Sequence, residues 1–265
     1  MSLFSKSIII LLHQQSAEGI AKRQSGGSPI LKLFVGVPLM GLRAAPERIN
    51  KMTIQANKPA TPLQEINKEA SCTIIKPGRF SFFRAPALNV KPYKAADIKG
   101  IYQYLTLYSP ALSATNALRA INDPKQAREF KASHFDFVCF SGTFSYRKDD
   151  GLIRHSGLLC LDFDHVGNRF VLWELRQRLI ADPFFTTWLL FTSPSGDGLK
   201  WVISIDLNLC DHRTWFRALQ NYVRSTYNLE TDEKCSNVSR TCFLPFDGNC
   251  YVHPSILNEP DVCPF

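Results

Sequence analysis

Between residues 157 and 227 the chain alternates its hydrophobic period in a way that few folds satisfy. An apolar strand pattern at 157–164 is followed by a helical pattern at about 169–181. Two more strand patterns then run at 186–192 and 199–205, before an amphipathic helix at 211–227. Strands buried between helices in this order predict an α/β (α+β) layer arrangement. In the last helix Trp215, Leu219, Tyr222 and Val223 fall at i, i+4, i+7 and i+8, a stripe that reads as core, and Asp211 is placed to cap its start.

Upstream, strands are expected at 73–75 and 79–83, helices at 95–108, 114–121 and 125–131, and strands at 135–140 and 143–146 around Ser141-Gly142. A turn is expected at 148–151, and a short strand at 241–244 lies in an otherwise irregular tail. Residues 1–70 carry Gly26-Gly27, Pro29, Pro38, Pro46, Pro59 and Pro62 without sustained periodicity. They read as a poorly ordered extension ahead of a domain at 71–265. Met52 opens a polar stretch just before the first strand pattern, so residues 1–51 are expected to lie upstream of the natural start.

The chain has 265 residues, 45% of them apolar, which excludes global disorder. A formal net charge of +8 favours a polyanionic partner. Residues 1–70 hold nine Lys or Arg against four Asp or Glu, however, so most of the excess lies outside the predicted domain. No two of the eight cysteines form a CxxC pair, and Cys139 and Cys160 sit in apolar runs. Buried reduced thiols and a cytoplasmic location are the expectation; an irregular zinc set of Cys235, Cys242, Cys250 and His253 is the alternative. The apolar run Ile8–Leu12 is shorter than a secretory core of about 7–15 residues, and no membrane partner is expected.

Three constellations can carry chemistry. In Leu158-Leu159-Cys160-Leu161-Asp162-Phe163-Asp164 an apolar strand ends in two acids, and strand alternation puts both on one face, about 6.5–7 Å apart. Converging carboxylates suit a hard divalent cation, Mg²⁺ or Mn²⁺; a strand emerging into solvent has the same pattern. In Ser193-Pro194-Ser195-Gly196-Asp197-Gly198-Leu199-Lys200 a glycine turn joins two strands. Its N–H groups and the Ser195 hydroxyl suit a phosphate, with Lys200 as point charge facing a cleft or water. Neither P-loop nor dinucleotide-fingerprint spacing is present, and an ordinary hairpin turn is the plainer reading. In the third, Asp232 precedes Arg240 by eight residues. The acid can complete a metal cage and the arginine can grip phosphate, or Arg240 can simply pair with Asp247.

In this order the three resemble the catalytic signatures of the archaeo-eukaryotic primase superfamily. The runs Phe140-Ser-Gly-Thr-Phe144, His155–Asp164 and Ser193–Lys200 more closely resemble the VirE amino-terminal, primase-like domain family of bacterial mobile elements, over about residues 79–256. That resemblance implies a primase-type catalytic core, with an RRM-like antiparallel sheet flanked by helices, acting in mobile-element DNA replication. Asp162, Asp164 and Asp232 would be catalytic and bind Mg²⁺ or Mn²⁺, and Ser195, Gly196, Gly198, Lys200 and Arg240 would hold the nucleotide. Nucleoside triphosphates and a single-stranded DNA or RNA template would be partners, with a helicase domain fused or supplied nearby. Lys200 stands where the superfamily usually carries histidine. A catalytically weak nucleic-acid-binding accessory domain of the same fold is therefore the alternative, and a metal-dependent phosphodiesterase would use the same acids.

Overall fold

The computed structural model describes residues 76–258, so the expected extension at 1–70 and the strand at 73–75 lie outside the described residues. In chain order the elements begin with β1 (Phe80–Phe83), β2 (Lys94–Ala96), α1 (Ile98–Leu107), α2 (Ser109–Arg119), α3 (Pro124–His134), β3 (Phe137–Cys139), β4 (Gly142–Phe144) and β5 (Leu152–His155). They continue with β6 (Leu158–Phe163), α4 (Arg169–Ile180), β7 (Thr187–Thr192), β8 (Leu199–Ser204), α5 (His212–Tyr227), β9 (Cys242–Phe243), β10 (Tyr251–Val252) and α6 (Pro254–Leu257). The architecture is mixed α and β, with antiparallel sheets.

All four side chains of β1 are buried, which requires cover on both faces of that strand. It lies inside a sheet ordered β2-β1-β3-β9, every pairing antiparallel. Phe80 and Phe82 face one core together with Val138, Phe140, and Ile101 and Leu105 of α1. Phe83 stacks on Phe137 on the opposite face, 4.9 Å between centroids, in a cluster with Cys139 and Phe144 that the β4–β5 hairpin helps to close. The helix expected at 95–108 starts later because Lys94–Ala96 pairs with β1. The Asp97 carboxylate then accepts from the Gly100 N–H and begins α1.

The second sheet is ordered β10-β7-β8-β6. The run β6-α4-β7-β8-α5 has the strand and helix order of a split βαβ unit, and β10 joins at the β7 edge rather than beside β6. Six cross-strand pairs lock β6 to β8, from Leu158 opposite Ser204 to Phe163 opposite Leu199. Alternation sorts these strands into two faces. Leu158 and Val202 join the core shared with the first sheet, where the Cys160 and Cys242 sulfurs approach to 4.0 Å. Phe163 and Trp201 face the helices instead: Trp201 meets Tyr227 of α5, 6.3 Å between centroids, and Leu172, Leu175 and Leu179 of α4 are buried nearby. Burial of each such large side chain contributes roughly 1.5–3 kcal/mol. Tyr222, expected in the core stripe of α5, instead donates its hydroxyl to Asp182. Among the described residues no helix is long and apolar enough to cross a membrane.

Candidate functional site

Cross-strand register builds the centre of the site. Asp162 of β6 lies directly opposite Lys200 of β8, on the face turned toward the first sheet. The Lys200 ammonium donates to Asp162 Oδ2, and both side chains are nearly buried. Sequence reading put Lys200 toward a cleft or water; it is held inside, against the acid. Burial acts to lower the lysine's pKa, but the neighbouring Asp162 charge outweighs it and the net shift is upward. The second Asp162 oxygen, Oδ1, is buried with no hydrogen-bond partner among the described residues. Such an atom is costly to leave unpaired.

Asp164 follows the last residue of β6 and is exposed. Desolvation and then the like charge of Asp162 raise its carboxyl above the ordinary range, while Lys200 and Lys131 oppose them. Asp232, seventy residues beyond Asp162, arrives through its backbone: its N–H lies 3.4 Å from the Asp162 carbonyl oxygen. The Asp232 carboxylate accepts from Arg240 Nη2 at 2.5 Å. Arg240 therefore pairs with Asp232, whereas Asp247 accepts from the Thr192 and Asn249 N–H groups and lies 3.7 Å from Arg176.

Asp162, Lys200 and Arg240 line one small pocket of about 20 Å³, together with His212, Cys160 and Cys235. That volume holds about one water. Burial, then the Asp162 charge, pushes the Cys235 thiol up to about 12. The glycine turn divides between two places. Ser195 and Gly196 line a separate cleft of about 810 Å³ with Arg119 and Arg169, into which Leu199 also projects. Gly198 packs so tightly on β6 that a Cβ there would sit 2.2 Å from the Phe163 carbonyl oxygen. Gly196 has φ +90°, and its neighbours Ser195 and Asp197 are joined by a 2.6 Å hydrogen bond that runs on to His165. Of the expected nucleotide-binding set, Lys200 and Arg240 stay with the acids, while Ser195 and Gly196 face the other cleft.

Two features escaped sequence reading. Lys131, near the end of α3, feels Asp164, Asp162 and Lys200; desolvation first and Lys200 second lower its pKa. His155 and His212 place ring nitrogens 3.0 Å apart, with His212 on the pocket wall. Desolvation lowers both to about 4, with the neighbouring ring adding to the effect at His212. No motif spacing announces either feature, since the partners lie on separate elements.

Among the described residues, no group of three or more His, Cys, Asp or Glu side chains is placed to hold a metal ion. The zinc alternative finds no such group either, and the six cysteines described are free thiols. A hard cation such as Mg²⁺ keeps waters and needs only one or two carboxylates beside substrate phosphates; Asp162, whose Oδ1 has no hydrogen-bond partner among the described residues, and Asp164, which feels its charge, are the residues that would hold one. Asp232 is already engaged by Arg240.

Fold and site thus define an α+β protein whose described residues form two four-stranded antiparallel sheets, a smaller β4–β5 sheet and a pocket of opposed acids and bases. Residues 129–252, a little under half of the chain, match the family described as BT4734-like, N-terminal domain, and the chain is similar to that family over this stretch. This is a different family from the VirE amino-terminal, primase-like one, and it overturns the family resemblance drawn from the motifs. Each of those motifs is short, and a strand-end acid pair, a glycine turn and an acid–arginine pair serve general structural needs, so their order does not separate families. No curated protein and no solved structure matches the chain at a significant level.

Proposed function

We propose that the chain is a nucleotidyltransferase module of primase or polymerase type, dependent on Mg²⁺ or Mn²⁺ and directed by a nucleic-acid template. The observation that carries this reading is the meeting of Asp162, Lys200 and Arg240 around one pocket from three distant segments, with the Asp232 N–H on the Asp162 carbonyl oxygen and Asp164 feeling the Asp162 charge. Asp162 Oδ1 and Asp164 would hold the cation, which would neutralise charge on a reacting phosphate. Lys200 and Arg240 would each exchange a carboxylate for phosphate oxygens, Arg240 as a planar fork and Lys200 as a point charge. Lys131 supplies further positive charge beside Asp164.

A second reading, a nucleic-acid-binding accessory domain without catalysis, is favoured by the two ion pairs that already neutralise Asp162 and Asp232. Primer extension on a single-stranded template, with labelled nucleotide and Mg²⁺ or Mn²⁺, separates the two. The first reading expects incorporation that Asp164→Asn reduces at least 100-fold without changing Tm, because Asp164 is exposed. Wild-type protein that binds template and incorporates nothing supports the second. Cleavage of the oligonucleotide in the absence of nucleotides makes it a phosphodiesterase and sinks both.

A further inference from the structure

The larger cleft lies on the helix side of the second sheet, away from the acids. Its walls bring together Arg119 of α2, Arg169 and Arg176 of α4, Ser195 of the glycine turn and Trp173. Asp247 is the one carboxylate among the described residues lining it, and it lies 3.7 Å from Arg176. Three guanidinium groups thus share one acid. Arg119 is fixed in place, donating from Nε to the Pro194 carbonyl at 3.1 Å and from Nη2 to the Ser193 carbonyl at 3.3 Å. Desolvation draws its pKa down, Asp247 opposes this, and the like charge of Arg169 adds to the lowering.

Beside these groups stands Trp173, which lines the cleft, and next to it Phe170. Trp173 is 59% exposed and Phe170 is 69% exposed. They are neighbours on successive turns of α4, with ring centroids 6.5 Å apart and planes 31° apart. Fixed positive charge in a concavity, with open aromatic faces beside it, is the composition of a surface that tracks a phosphodiester backbone and stacks its bases. An apolar peptide would leave the guanidinium charges unmatched, free phosphate would leave the aromatic faces without a partner, and a flat anionic membrane would meet the exposed rings but not follow Arg119 into the concavity.

We propose that this cleft binds single-stranded nucleic acid, with phosphates on Arg119 and Arg169 and a base against Trp173. The site is separate from the acid pocket and requires neither metal nor turnover there.

Tryptophan fluorescence of the full chain provides the readout, because Trp188 and Trp201 are 0% exposed and Trp215 is 6% exposed, leaving Trp173 as the indole that solvent reaches. Oligo(dT) of about 20 nucleotides is titrated in EDTA without nucleotides, following both indole quenching and the anisotropy of a fluorescein label. Quenching with saturable binding is expected. Trp173→Ala should weaken binding about tenfold, the loss of one stacked base. Arg169→Gln should weaken it and lower the slope of log K against log salt by about 0.7, one phosphate contact on a single strand. Both residues sit on the rim of α4, and an unchanged Tm certifies the variants.

Binding without quenching, or binding unaltered in both variants, overturns the proposal. So does displacement of the strand by inorganic phosphate or nucleoside triphosphate at matched phosphate concentration, which would make this a site for a free phosphate group. Asp164→Asn should bind oligo(dT) like the wild type, so loss of incorporation and loss of strand binding are read separately.

Discussion

Asp162 and Lys200 are registered partners across β6 and β8, and the salt bridge between them lies almost wholly out of water, with side-chain exposures of 15% and 7%. A buried pair of this kind contributes little net stability, but removing one member strands the other charge, at roughly 3–5 kcal/mol. Asp162 therefore has a structural duty in addition to any chemistry.

Asp162→Asn and Lys200→Met should each lower the free energy of unfolding by about 3 kcal/mol. The double variant should be far less destabilised than the sum of the two, since no unpaired charge remains. Urea unfolding of all four proteins checks this, and simple additivity would show that the two groups do not interact. The coupling also explains why Asp164→Asn, rather than Asp162→Asn, is the cleaner test of activity.

The burial of His155 and His212 makes stability depend on acid. Both rings are lowered to about 4 from an ordinary 6.5, so the unfolded chain binds protons more readily than the folded one between those values. Their contribution is complete above pH 6.5 and is lost as pH falls toward 4, with a slope of up to about 1.4 kcal/mol per pH unit for each proton. Thermal unfolding at pH 7, 5.5 and 4.5 should show this loss, and His212→Gln should flatten it. An unchanged slope in the variant would mean that other groups govern the acid limb.

Gly198 offers a test of how closely the hairpin approaches its neighbour. A methyl group there would meet the Phe163 carbonyl oxygen at 2.2 Å, backbone against backbone, with no flexible atom to yield. Gly198→Ala should cost more than about 2 kcal/mol. Gly248→Ala, whose nearest new neighbour is the Phe246 ring at 3.6 Å, should be neutral or slightly stabilising through the unfolded chain. Similar Tm values for the two variants would refute the close approach.

Much of this architecture is legible in the chain itself where period and capping agree. The spans of β6, α4, β7, β8 and α5 follow within two residues from apolar spacing and from Asp211, whose carboxylate accepts from the Thr214 N–H. The short pieces β2, β5 and β10 do not, because two to four residues carry no period and each exists only through its partner strand. For the site, alternation correctly puts Asp162 on the face with Cys160. It cannot reveal that Lys200 stands opposite, since β6 and β8 are separated in sequence by a helix and a strand and their register is set only when the sheet assembles. Nor can it separate Ser195 from Lys200: five residues apart in sequence, they belong to different sides of the sheet. Arg240 shows the same limit, having two acids in reach along the chain and taking Asp232.

Leu199 and Lys200 are consecutive, yet one contributes grease to a helix-covered wall and the other an ammonium to the opposite wall. A slip of β8 by one residue against β6 and β7 would trade them, sending the cation in under the helices and leaving Asp162 to confront a hydrocarbon. Both compartments would be spoiled at once, so the seating of β8 between its two neighbours is as much a part of the working apparatus as any side chain it carries.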